Sequence, residues 1–109
     1  LLIQAKDITI DKNKETTIFN NEVKIKTDDN KNIQSDKAIY DRKNNFVKLE
    51  GNITATDNKK NIIKTNYAEY NDNTKVFNSV GATKVITSVI YKIESNIVIF
   101  DNKIFIINS

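Results

Sequence analysis

The chain repeats itself every thirty residues, and this register limits its possible folds more than any other feature. Ile3, Ile33, Ile63 and Ile93 are each one interval apart. Two residues later come Ala5, Ser35, Thr65 and Ser95, all small. Ile8, Ala38, Ala68 and Val98 follow as an apolar series, and Ile10, Tyr40, Tyr70 and Phe100 as a bulky one. Asp11, Asp41, Asn71 and Asp101 close each segment with a turn-forming residue. A second series keeps the same register: Asn21, Gly51 and Gly81, residues that tolerate positive φ, then Val23, Ile53 and Thr83, then Ile25, Ala55 and Val85. No gap is needed. Strict identity is sparse, so the signal lies in residue class at structural positions. A β-sandwich with evenly spaced hairpins would also give regular strand spacing.

Within each unit the period is two. From Val47 to Ala55, odd positions are apolar or Gly and even positions polar, which predicts a half-buried strand. Val23 to Thr27 alternates likewise, and Thr83-Lys84-Val85 continues the pattern. In the first half of each unit the parity switches. Ile33 and Ser35 share one face, Ala38 and Tyr40 the other, and the step falls near Asp36. A one-residue step exchanges the faces of a strand, so each unit is predicted to bend at the same place and to fold over. Turns rich in Asn, Asp and Lys separate segments of Ile, Val, Thr, Tyr and Phe, and no helix is predicted. The length suits a single domain over 1–109. The fourth unit is incomplete, and the opening Leu1-Leu2 without Met fits a mature product or a piece of a longer protein.

Composition removes several functions. The chain has no Cys and no His, which excludes disulfides, thiolate metal sites, thiol catalysis and imidazole bases. Carboxylates are scattered over turns and polar strand faces, and no nucleophile motif, phosphate loop or calcium loop is present. The expectation is a non-enzyme with no catalytic residue, no metal and no cofactor. A net charge of +3 with interspersed signs gives no reason to expect nucleic acid, and no stretch reaches the ~20 apolar residues of a spanning helix.

The string Ile33-Gln34-Ser35-Asp36-Lys37-Ala38-Ile39-Tyr40-Asp41, followed by Val47-Lys48-Leu49-Glu50-Gly51-Asn52-Ile53, resembles the repeat of the OstA-like lipopolysaccharide-transport family, which includes LptA and the N-terminal domain of LptD. Residues 63–71 and 93–101 are further copies of its first half, with Asn66 and Asn96 in place of Asp. Asn20-Asn21-Glu22-Val23 and Val80-Gly81-Ala82 depart from the Leu-x-Gly-Asn half. The resemblance implies an all-β fold, a twisted β-jellyroll of stacked antiparallel strands built from repeats. It also implies a role in the periplasm, where the domain would shelter lipopolysaccharide acyl chains in an apolar groove while domains join end to end by pairing edge strands. Such a domain could be the soluble part of an outer-membrane protein. LptC-like proteins share the fold but usually carry a membrane anchor, which this sequence does not show.

On that basis the lipid-facing interior is expected from Ile8, Ile10, Val23, Ile25, Ala38, Tyr40, Val47, Leu49, Ile53, Ala55, Ala68, Tyr70, Val85, Val98 and Phe100. The implied partners are lipopolysaccharide and other Lpt-type β-jellyroll domains, including further copies of the chain. The same residues are also what a packed core requires. Residues 3–10 and 97–107 would supply the edges. Tyr40, Tyr67, Tyr70 and Tyr91 would place rings either in the core or at a lipid–water boundary. Lys59-Lys60, in a turn, would be solvated or would meet lipid phosphates. The competing function is a structural or adhesive β-repeat that binds protein partners and no lipid.

Overall fold

The computed structural model describes residues 1–86, together with the backbone of residues 97–100 and 103–108. The positions of Tyr91, Ile93, Ser95 and Asp101 in the register lie outside the described residues. Among the described residues ten strands form one sheet: β1 (Leu2–Gln4), β2 (Asp7–Asp11), β3 (Thr16–Lys26), β4 (Asn32–Asp41), β5 (Phe46–Thr56), β6 (Ile62–Asn71), β7 (Val76–Val80), β8 (Lys84–Ile86), β9 (Ile97–Phe100) and β10 (Lys103–Asn108). The order is β1-β3-β4-β5-β6-β7-β10-β9, with β2 also on β3 and β8 also on β6. Thus β1 and β2 succeed one another along β3, and β7 and β8 along β6. Every described pairing is antiparallel, as expected, except that β10 runs parallel to β7. No helix occurs among the described residues.

The thirty-residue register is written into the backbone. Hairpin tips place Glu15, Asn45 and Lys75 at φ of 53°, 51° and 61°. Turns at the opposite end place Asn30 and Lys60 at 63° and 66°. Asn21 and Glu22 (67°, 53°) within β3, Gly51 and Asn52 (81°, 46°) within β5, and Gly81 (90°) between β7 and β8 occupy equivalent places in the register. Two successive left-handed residues insert a bulge, and the pairing registers shift there, between Asn20 and Val23 and between Glu50 and Ile53. The parity lost on the partner strand near Asp36 is matched by the bulge opposite it.

Local side chains explain why these turns need neither Pro nor more Gly. Asp11 Oδ1 accepts from the amides of Asn13 and Lys14, both at 3.1 Å. Asp41 Oδ1 does so from Lys43 and Asn44 at 3.0 and 3.2 Å, and Asn71 Oδ1 from Asn73 and Thr74 at 2.9 and 3.1 Å. Successive tips stack through backbone bonds, Arg42 N to Glu15 O at 3.1 Å and Asp72 N to Asn45 O at 2.8 Å.

The bends fold the sheet back on itself. Asp28 follows β3 at one end of the strands, and Lys75 precedes β7 at the other end. A flat strand the length of β6 would hold such turns roughly 30 Å apart. Instead, Lys75 Nζ donates to Asp72 Oδ1 at 2.8 Å and to Asp28 Oδ2 at 3.2 Å. Two half-sheets therefore face each other across one interior, joined at the bends and bridged at the opposite mouth. We term the half-sheet holding β1, β8 and the β3–β4 turn the first, and the one holding β2, β7 and the hairpin tips the second.

Candidate lipid-binding interior

Strand pairing aligns the inward side chains into rows across the sheet. In the first half-sheet one row runs Ile3, Ile25, Ile33, Ala55, Ile63, Val85. In the second, one runs Ile8, Phe19, Ala38, Leu49, Ala68, Ser79, and beside it Ile10, Thr17, Tyr40, Val47, Tyr70, Phe77. In the second half-sheet large and small residues alternate over Phe19, Ala38, Leu49 and Ala68, which leaves room for side chains of the facing layer.

Of the expected interior residues, Val23, Ile25, Ala38, Val47, Leu49, Ile53, Ala55, Ala68 and Tyr70 are buried and form one cluster, with Tyr40 and Val85 packed against it. Ile8 and Ile10 lie on the same side by their pairing with Phe19 and Thr17, yet are 55% and 59% exposed. The cause is position: β2 is an edge strand with a single neighbour, so nothing among the described residues covers that end of the interior. Val98 and Phe100 fall in β9, and their side chains lie outside the described residues. The buried cluster also contains Phe19, Ile33, Ile63 and Phe77. These were legible: Ile33 and Ile63 carry the register itself, and Phe19 and Phe77 are one interval from Leu49 and Val47.

Polar groups inside are mostly satisfied at the bends, as burial demands. Ser35 Oγ donates to Lys37 O at 3.1 Å, and Thr65 Oγ1, one interval on, to Tyr67 O at 3.4 Å. Asp57, buried in the turn after β5, accepts from the amides of Lys59 and Asn61 at 2.9 and 3.0 Å and from Asn61 Nδ2 at 2.9 Å. Both of its oxygens thus serve the turn. Lys59 and Lys60 lie exposed in that turn. Among the described residues no group of three acidic side chains converges as a metal site.

Two features escaped the sequence reading. Lys31 is buried, with its Nζ on Asp29 Oδ2. Burial opposes the Asp29 charge, but hydrogen bonds from Lys31 and Thr27 outweigh it and keep the carboxyl below its ordinary range. The hydroxyl of Tyr70 is buried with no hydrogen-bond partner. Burial, reinforced by the charge of Asp29, pushes it up to about 12.

At the mouth, hydrogen bonds from the amino group of Leu1 and from Lys75 hold Asp28 below the usual carboxylate range. Asp72, chiefly by its hydrogen bond, raises Lys75 above its ordinary value.

A single sheet folded over along repeated bends, apolar within and polar without, defines a β-jellyroll of the lipopolysaccharide-transport type. Residues 2–103 match the family model described as lipopolysaccharide-assembly, LptC-related, and the chain belongs to that family. No curated protein and no solved structure matches it. The match supports the expected transport group but points to its LptC-related members, not specifically to LptA or LptD. Among the described residues no helix is long and apolar enough to cross a membrane.

Proposed function

We propose that the domain works in the periplasm as a non-catalytic module of lipopolysaccharide transport. Its interior rows shelter acyl chains, and its edge strands join neighbouring β-jellyroll domains. The observation that carries this reading is the continuity of the apolar rows from the covered centre to the uncovered Ile8 and Ile10, within a family devoted to lipopolysaccharide assembly. An acyl chain needs such a long, undirected surface, because transfer from water scales with area at ~25 cal/mol per Å². The edge formed by β1 and β2 carries unpaired backbone groups beside those isoleucines, the arrangement that strand addition uses. The carboxylates Asp11, Asp41 and Asp57 are engaged with turn amides, a structural role.

One observation favours the structural-repeat reading. The central interior side chains fill the space between the half-sheets, with Ala38, Val47, Leu49, Ala68 and Tyr70 at 0% exposure. A carrier must therefore admit lipid at the uncovered end or by parting the mouth. Photocrosslinking separates the two readings. A crosslinking residue at Ile10 or Tyr40, on the inner face, is expected to capture lipopolysaccharide. The same residue at Thr9 or Lys48, on the outer face, is expected to give none. Equal capture at all four sites, or none, refutes the carrier.

A further inference from the structure

The two half-sheets differ in the charge of their outer faces. In the second, acids and bases alternate and stand opposite one another: Lys37 faces Glu50, and Lys48 faces Glu69. Of its other carboxylates, Asp7 accepts from Asn21, and Asp11 and Asp41 from turn amides. The outer face of the first half-sheet is different. One row crosses it as Gln4, Lys24, Gln34, Thr54, Lys64, Lys84, and the next as Leu2, Lys26, Asn32, Thr56, Ile62, Ile86. Neither row contains a carboxylate. Lys24, Lys26, Lys64 and Lys84 are exposed and have no acidic partner among the described residues.

Lys64 and Lys84 stand directly opposite each other on adjacent strands. Like charges in that relation repel, a cost that an external anion would remove. They border a shallow hollow of about 500 Å³ with Thr54 and Asn66. Lys24 and Lys26 border a second of about 290 Å³ with Asn32 and Gln34. Apolar residues flank the basic centre on both sides: Leu2, 58% exposed, at one margin, and Ile86, 38% exposed, at the other. A flat surface with central cations, amide donors and apolar margins matches the boundary layer of a bilayer, where phosphates meet the first methylenes.

We propose that the outer face of the first half-sheet is a docking surface for an anionic phospholipid bilayer. The domain lies flat on the membrane through Lys24, Lys26, Lys64 and Lys84, with its mouth and interior at the side. Charge complementarity selects this occupant. The second face, which another copy of the chain would offer instead, sets a lysine opposite Glu50 and opposite Glu69, so it presents no acidic patch to complement four lysines. The proposal does not depend on what the interior carries.

Flotation of the whole chain with vesicles tests it. Binding is expected to vesicles of phosphatidylcholine with roughly one-third phosphatidylglycerol, not to pure phosphatidylcholine, and should be lost near 1 M salt, where the screening length falls to ~3 Å. The variant K24Q/K26Q/K64Q/K84Q should lose roughly fivefold in affinity per lysine removed. K24R/K26R/K64R/K84R should retain binding. So should K12Q/K14Q/R42Q/K43Q, which removes the same charge from the hairpin tips. Three results overturn the proposal: no binding to anionic vesicles, equal loss in the hairpin-tip variant, or self-association abolished by the first variant without any vesicle binding.

Discussion

Gly51 shows how closely one residue is tied to its neighbour across the bend. A Cβ there would lie 2.7 Å from Asp36 Oδ2 and 3.1 Å from Asp36 Cβ, and the backbone sits at φ +81°. Gly81 has φ +90° but nothing within 4 Å of such an atom. Gly51→Ala is therefore expected to cost about 2–4 kcal/mol and Gly81→Ala about 1–2 kcal/mol by urea denaturation. Adding Asp36→Ala should recover part of the first loss, since it removes the closest contact, at Oδ2, and leaves the backbone strain and the tighter approach of the two Cβ atoms. Tyr70 gives the opposite expectation. Its orphaned hydroxyl makes Tyr70→Phe stabilising by about 1 kcal/mol in lipid-free protein, measured in the same way.

At the scale of strands and turns, one bend is built with three chemistries. In the second unit Asn52 Nδ2 donates to Asp36 Oδ2 at 2.9 Å. One interval earlier the same two positions hold Lys6 and Glu22, paired at 3.3 Å. One interval later they hold Asn66 and Ala82, which have no such bond. Glu22 must take φ 53°, a conformation Asn accepts more readily. Glu22→Asn, which puts the second unit's residue at that φ and gives up only an exposed ion pair, is thus expected to raise stability by about 0.5 kcal/mol, read from the denaturation midpoint. The same comparison shows what the sequence discloses. Residue class in register located the bends, because Asn21, Gly51 and Gly81 have the same backbone duty. The parity of Ile33–Ser35 against Ala38–Tyr40 sorted the inward residues, because a bulge leaves the period of two intact on either side. The burial of Lys31 was hidden. Charge normally marks a solvated turn, and only the fold shows that Asp29 follows it inward. The exposure of Ile8 and Ile10 was hidden too, since sequence pattern reports which face a residue takes, not whether a neighbour covers it.

For the molecule as a whole, the mouth is the place where opposite ends of the sheet meet, and no sequence pattern linked Asp28 to Lys75 across 47 residues. Asp28 is held below its ordinary value of 3.8, so its contribution is present above that pH and fades as pH falls through its lower folded value. Lys75 is held above its ordinary 10.5, so its contribution is complete below that pH and fades only in stronger alkali. The bridge is expected to hold throughout the neutral range and to release below about pH 4. With no native Cys, spin labels at N30C and N73C would report the gap. Their distance distribution should be narrow at pH 7. It should broaden in Asp28→Asn, in Lys75→Gln and in acid, while the far-ultraviolet spectrum of the sheet persists.

The recurring left-handed residues also have an arithmetic consequence. Each interval returns the chain to the same lip after two strands, an advance of roughly 10 Å along the stack. A tandem copy of about ninety coding nucleotides would preserve every corner and every cap, because each depends only on residues in its own or the adjoining unit. The span of a shaft assembled from such units would then change in whole steps, so evolution could match it to a wider gap by gene duplication without redesigning a single joint.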